Sequence, residues 1–122
     1  MKKKDEGRRS PCPVACTLDL IGDRWTLLVI RDLFRGCCQF RDFARSPERI
    51  ATNVLADRLE RLQEAGLVEK VPVVRGRVRE GYRLTDKGRT LGSVLKAVAD
   101  WGLQNLDGTE AHLKVSLAEH GG

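Results

Sequence analysis

From Pro13 the apolar positions Val14, Cys16, Leu18 and Ile21 recur at helical spacing until Gly22 stops them. Asp23 then reads as the N-cap of a second helix, "RWTLLVIRDLFRG". Its apolar set Leu27, Leu28, Ile30, Leu33 and Phe34 wraps broadly enough for a central, mostly buried element ended by Gly36. "QFRDFARS" predicts a short amphipathic turn or helix with Phe40, Phe43 and Ala44 on one side, broken at Ser46-Pro47. The next helix starts near Ala51 or Thr52. It sets Leu55, Leu59 and Leu62 on one stripe and closes at Ala65-Gly66. "LVEKVPVV" alternates like a strand, with Pro72 favouring an edge position, while "RGRVREG" reads as a glycine-bounded loop and "YRL" as a return strand. Thr85 is placed to cap a final helix through about Leu106, with Leu91, Leu95, Val98 and Gly102 on one face. The expected fold is mainly α with a small β-hairpin.

A short helix, a sharp break and a second helix make a helix-turn-helix. In that arrangement the second helix buries one stripe and keeps its opposite face, above all its first turn, for a DNA major groove. Thr52, Asn53 and Ala56 lie off the leucine stripe near its start, and an asparagine there can read adenine through paired hydrogen bonds. Charge complicates this reading. From Ile50 to Ala65, Arg58 and Arg61 stand against Asp57, Glu60 and Glu64, a net of minus one. Phosphate affinity is therefore expected from Arg41 and Arg45, from the hairpin arginines Arg75, Arg77 and Arg79, and from the N-terminal tail. Arg58 is also a candidate DNA contact. The alternatives are ordinary ones: the arginine-rich hairpin as a solvated turn, and Asn53 as a local backbone hydrogen-bonder.

The whole-chain numbers agree with a polyanion partner. The 122 residues suit one domain, the net charge is +5, and aromatic residues make up only 5%, which argues against a base- or sugar-stacking surface. The excess charge is concentrated in "KKKDEGRR" and in Arg75 to Arg83. No segment is apolar enough for a signal peptide or a membrane span, so cytoplasmic residence is expected. No nucleophile–base set and no phosphate-cradling glycine loop occurs, and both histidines, His112 and His120, sit near the C-terminus. The chain is expected not to be an enzyme and to need no cofactor or metal.

Taken together, "CPV…TLDLIGDRWTLLVIRDLFRG", "FRDF", "SPERIATNVLADRLERLQEAGLVEK" and "YRLTDKGRTL" resemble the HxlR-type winged helix-turn-helix transcriptional regulators, over Cys12 to about Leu106. The resemblance implies a homodimeric regulator of promoter or operator DNA, dimeric through its outer helices. "QFRDFARS" would be the supporting helix, Thr52 to Ala65 the recognition helix and Val73 to Leu84 the wing. Three positions depart from the family pattern. Arg49 stands where a glycine is common, Ala51 where a capping serine is common, and Gly81 interrupts the run into Tyr82. The implied division is a flexible basic tail at 1–10, a DNA-binding and dimerisation domain at 11–106, and a weakly patterned tail at 107–122.

Several regulators of that type sense oxidants or electrophiles through an N-terminal cysteine, and Cys12 occupies that position. A thiol at a helix start beside Arg8 and Arg9 is set up as a nucleophile. Cys16 lies one turn on and reads equally well as a small buried apolar residue, while the vicinal Cys37-Cys38 reads as local packing. The spacing of the four cysteines does not favour zinc. The leading expectation is a dimeric winged-helix transcription regulator, acting as a repressor, whose DNA affinity is altered by thiol chemistry or a small ligand. Two alternatives stay open: a winged-helix protein–protein module, and a DNA-binding regulator indifferent to redox state that answers to a small ligand between its helices or to nothing.

Overall fold

Ile30, Phe43 and Leu55 are wholly buried, and they come from three different helices meeting at one core. The computed structural model describes residues 10–36, 39–74 and 78–110. In chain order these form α1 (Pro13–Ile21), α2 (Thr26–Phe34), α3 (Phe40–Phe43), α4 (Thr52–Glu64), β1 (Val68–Val74), β2 (Val78–Leu84), α5 (Asp86–Arg89) and α6 (Gly92–Asn105). α2 runs through the middle: Ile30, Leu33 and Phe34 of its expected apolar set are buried and Val29 with them, whereas Leu27 and Leu28 are half-buried. Around them pack Leu55, Leu59 and Leu62 of α4, Val68 and Leu84 of the hairpin, and Leu95 of α6. Each fully buried leucine contributes about 2 kcal/mol.

β1 and β2 pair antiparallel in a two-stranded sheet, Val68 opposite Leu84 and Val74 opposite Val78. Val78 to Gly81 are strand, where the glycine-bounded "RGRVREG" reads as loop. Pairing to β1 overrides the local glycine signal, Gly81 lying opposite Val71. Both strands of such a ribbon have an open edge, which is what Pro72 requires.

α4 ends in a Schellman turn. Leu67 N–H donates to Leu62 O at 2.9 Å and Gly66 N–H to Gln63 O at 3.0 Å, with Gly66 at φ 76°. The hairpin then returns to this corner. Thr85 N–H donates to Leu67 O at 3.0 Å, and Thr85 Oγ1 donates to Gly66 O at 2.6 Å while accepting from Gly88 N–H at 3.0 Å. A Cβ on Gly88 would lie 2.0 Å from Leu67 O, so only glycine permits this approach. Thr85 therefore caps, but it caps only α5; a turn at Thr90–Leu91 separates α5 from α6, where periodicity alone predicts one continuous helix. Two smaller corrections concern α2 and α3. α2 begins at Thr26, three residues after its expected cap, and Ala44 is exposed because α3 ends at Phe43.

Candidate nucleic-acid interface

α3, the turn after it and α4 form the helix-turn-helix, and the hairpin forms the wing beside it. α3 is brief but well closed: Gln39 and Asp42 form a reciprocal capping box, with Gln39 N–H donating to Asp42 Oδ2 at 2.9 Å. Phe43 anchors it in the core and meets the wing's Tyr82 edge-on, ring centroids 6.5 Å apart.

The turn is held by charge. Arg31 of α2, buried among apolar neighbours, donates from Nη1 to Glu48 Oε2 at 2.8 Å and from Nη2 to Glu48 Oε1 at 2.7 Å. The same guanidinium reaches Asp32 Oδ1 through Nε at 3.1 Å and Nη2 at 2.9 Å, and Ser46 Oγ donates to the other oxygen of Asp32. The hydrogen bonds to Glu48 raise the Arg31 pKa and, in return, lower that of Glu48. One residue on, Arg49 sits at φ 57°, among the described residues the one non-glycine residue at positive φ. Such a backbone costs a non-glycine residue about 1 kcal/mol.

α4 starts at Thr52 with Ala51 as N-cap and no side-chain cap, so Thr52 does not supply the missing oxygen. Its first-turn N–H groups are left for another acceptor. Thr52, Asn53 and Ala56 are exposed together beside this end, while Leu55, Leu59 and Leu62 are sealed on the core side. A groove of about 530 Å³, lined by Ala56, Glu60, Gln63, Glu64, Lys70 and Tyr82, separates α4 from the wing.

The other sequence-predicted residues divide. Arg41 is exposed on α3. Arg58 is not brought to the Asn53 face: it lies about 140° round the helix from Asn53. Its Nε donates to Asp23 Oδ2 at 2.7 Å and its Nη1 donates to Asp57, which braces α4 against the α1–α2 turn. Burial raises the Asp23 pKa, but hydrogen bonds from Thr26, Arg58 and the Trp25 backbone outweigh it and hold the carboxyl at about 2. Arg75 and Arg77 lie outside the described residues, and of Arg79 the backbone alone is described, paired with Val73. Cys12 is exposed as the N-cap of α1, its N–H donating to Ser10 Oγ at 3.0 Å. Cys16 is half-buried, its thiol donating to Ser10 O at 3.2 Å. Cys37, Cys38, Arg8 and Arg9 lie outside the described residues. Sequence reasoning missed the Arg31–Asp32–Ser46–Glu48 network. Its one trace was a charged pair, Arg31-Asp32, inside an otherwise apolar helix.

A short helix, a tight turn, a longer helix with one buried stripe and an adjoining two-stranded wing define a winged helix-turn-helix protein. The chain belongs to the HxlR-like helix-turn-helix family, whose model matches residues 20–110. It is 39% identical over 89 residues to the uncharacterized HTH-type transcriptional regulator Rv3095 of Mycobacterium tuberculosis, covering 73% of this chain. That match takes in 56% of the mycobacterial protein, so the chain spans little more than half of that relative's length. The uncharacterized HTH-type transcriptional regulator YybR of Bacillus subtilis is 30% identical over 97% of this chain and 94% of its own. Among solved structures, the redox regulator HypR in its reduced form superposes with a TM-score of 0.71 at 30% identity, covering 79% of this chain and 95% of that one. Among the described residues no helix is long and apolar enough to cross a membrane.

Proposed function

We propose that this chain is a homodimeric, sequence-specific repressor that binds operator DNA through the first turns of α4. The observation that carries this reading is the pairing of an exposed Thr52–Asn53–Ala56 face with a fully buried leucine stripe on one helix. Such a helix is anchored firmly and still offers small and amide side chains to base edges. Phosphate contacts come from Arg41 on the supporting helix and from the wing arginines Arg75, Arg77 and Arg79. Residues 11–106 carry DNA binding and dimerisation, with residues 1–10 as a basic tail and 107–122 as a C-terminal one.

Dimerisation is supported by apolar surface that the fold leaves uncovered. Val14 and Leu18 of α1 are 65% and 53% exposed, and Val98 and Trp101 of α6 are 53% and 61% exposed. Ile21 and Leu95, in contrast, are spent on the core. A twofold pairing of the outer helices buries such surface and sets two α4 helices about one DNA turn apart.

Cys12 favours a thiol-based effector response. It is exposed at the start of α1, beside the surface assigned to the dimer, and HypR is a redox regulator by name. Oxidation or alkylation there would shift how the two subunits meet and hence the spacing of the reading helices. A small-molecule effector between the helices is the alternative.

The experiment is selection of bound sequences from a random duplex pool, run reduced and oxidised. Enrichment of a two-half-site motif under reducing conditions, weakened under oxidant, is expected. A pool that stays random contradicts operator recognition.

A further inference from the structure

The arginines of this chain divide into two populations. Among the described residues, Arg31, Arg35, Arg58, Arg61, Arg83 and Arg89 each have a carboxylate within ion-pair distance, and Arg24 lies 5.1 Å over the ring of Trp25. Arg41, Arg45 and Arg49 have neither, and all three are exposed. They fall at intervals of four along the segment that leads into α4. A surface that pairs six of its described arginines with carboxylates and stacks a seventh on an indole leaves these three to seek an anion from outside.

Arg49 is the most informative of them. Its φ of 57° is a backbone that glycine adopts freely and arginine does not. The conformation is held by the turn that precedes it. Glu48 is locked by the two-pronged bond from Arg31, and Arg49 N–H donates to Ser46 O at 3.0 Å. Nothing in the fold repays a long cationic side chain here, since no described carboxylate meets it. The charge stands three residues before Thr52, at the end of α4 assigned to the major groove. That helix carries Asp57, Glu60 and Glu64 and so lacks net positive charge of its own.

Resting on the DNA-binding reading above, we propose that Arg49 is a phosphate-binding residue of that interface. It ends an Arg41–Arg45–Arg49 strip along one DNA strand, and it retains a strained backbone because the side chain is needed at that point. The contact is electrostatic and sequence-independent; it seats the start of α4 against the groove and leaves base choice to Thr52, Asn53 and Ala56.

Two variants separate charge from strain. Arg49→Gly removes the cation and relieves the backbone; Arg49→Gln removes the cation and keeps the backbone as it is. Anisotropy titrations use the duplex enriched from the random pool and a scrambled duplex, over a salt series, with thermal melts in parallel. Both variants are expected to bind both duplexes about five- to tenfold more weakly, the salt slope shrinking by about 1 per protomer. Arg49→Gly is expected to melt no lower than the parent chain, and Arg49→Lys to regain most of the affinity. Parent-like binding by Arg49→Gln overturns the role of Arg49 while the DNA-binding reading stands. A lower melting temperature for Arg49→Gly overturns the strain argument. A parent chain that binds neither duplex overturns the DNA-binding reading itself.

Discussion

Arg31 and Glu48 close a two-pronged ion pair across the helix-turn-helix, 2.8 and 2.7 Å long, between the buried middle of α2 and the turn that launches α4. The pair does for the turn what the leucine stripe does for α4: it sets direction. Leucines fix how α4 lies on the core, and the ion pair fixes the turn that leads into it. Glu48 stands four residues before Thr52, so a carboxylate pinned there fixes where the exposed face begins.

Removing the buried partner should cost more than removing the half-exposed one. Arg31→Ala leaves Asp32, 5% exposed, with only the longer 3.9 Å pairing to Arg35 and is expected to destabilise the chain by about 3 kcal/mol. Glu48→Ala, whose side chain is 35% exposed, is expected to lose about 1 kcal/mol. Chemical denaturation followed by circular dichroism reads both values. Equal, negligible losses would mean that the pair holds nothing in place.

Asp23 ties stability to acid. Its folded pKa of about 2 lies below the ordinary 3.8, so its contribution is complete above the unfolded value and disappears as pH falls through the folded one. Glu48, lowered by its bonds from Arg31, acts in the same direction. Stability should therefore be level above about pH 5 and decline towards pH 2. Asp23→Asn should flatten part of that decline at a cost of about 1 kcal/mol near neutrality. An unchanged acid limb in the variant would remove Asp23 from the explanation.

Asn53 and Arg41 should fail in different ways. Asn53→Ala is expected to alter base preference, with a loss of about 1–3 kcal/mol confined to operator DNA. Arg41→Ala should weaken operator and random duplex alike and reduce the salt slope. The same uniform loss is expected of Arg77→Ala. Competitive binding with a panel of single-base operator variants distinguishes the two patterns. Identical behaviour of Asn53→Ala on every duplex would strip it of a reading role.

Cys12→Ser should leave DNA binding intact when reduced and abolish release by diamide or a quinone. The readout is mobility shift with and without oxidant, followed by thiol mass mapping. Release that persists in the variant assigns sensing elsewhere, Cys16 being the next thiol to replace.

Where local pattern and tertiary packing coincide, the fold was legible in the chain. Leu55, Leu59 and Leu62 announce α4, Gly66 its end and Thr85 a cap, because each acts on neighbours within a turn or two. The break at Thr90–Leu91 was not legible, and neither was the docking of α5, whose Gly88 packs against Leu67, 21 positions away. The same limit hid the partners of Arg58 and Arg31. A sequence displays a cation but not the carboxylate that folding brings to it, so Arg58 read as a DNA contact and is found bonded to Asp23, 35 residues away. Conversely, Arg49 read as a departure from a family pattern, and its left-handed backbone emerged only in the fold. The exposure of Thr52, Asn53 and Ala56 was legible because a helix that buries one stripe must expose the other.

The decisive titration measures affinity of the intact chain for its enriched duplex and for a scrambled one across a range of salt. If α4 reads bases while flanking arginines hold phosphates, both affinities fall steeply with salt, with a log–log slope of about −5 for six or more phosphates per dimer. The enriched duplex stays tighter throughout by at least about a thousandfold. Affinities that ignore salt, or that coincide on the two duplexes, would contradict that division between shape and charge.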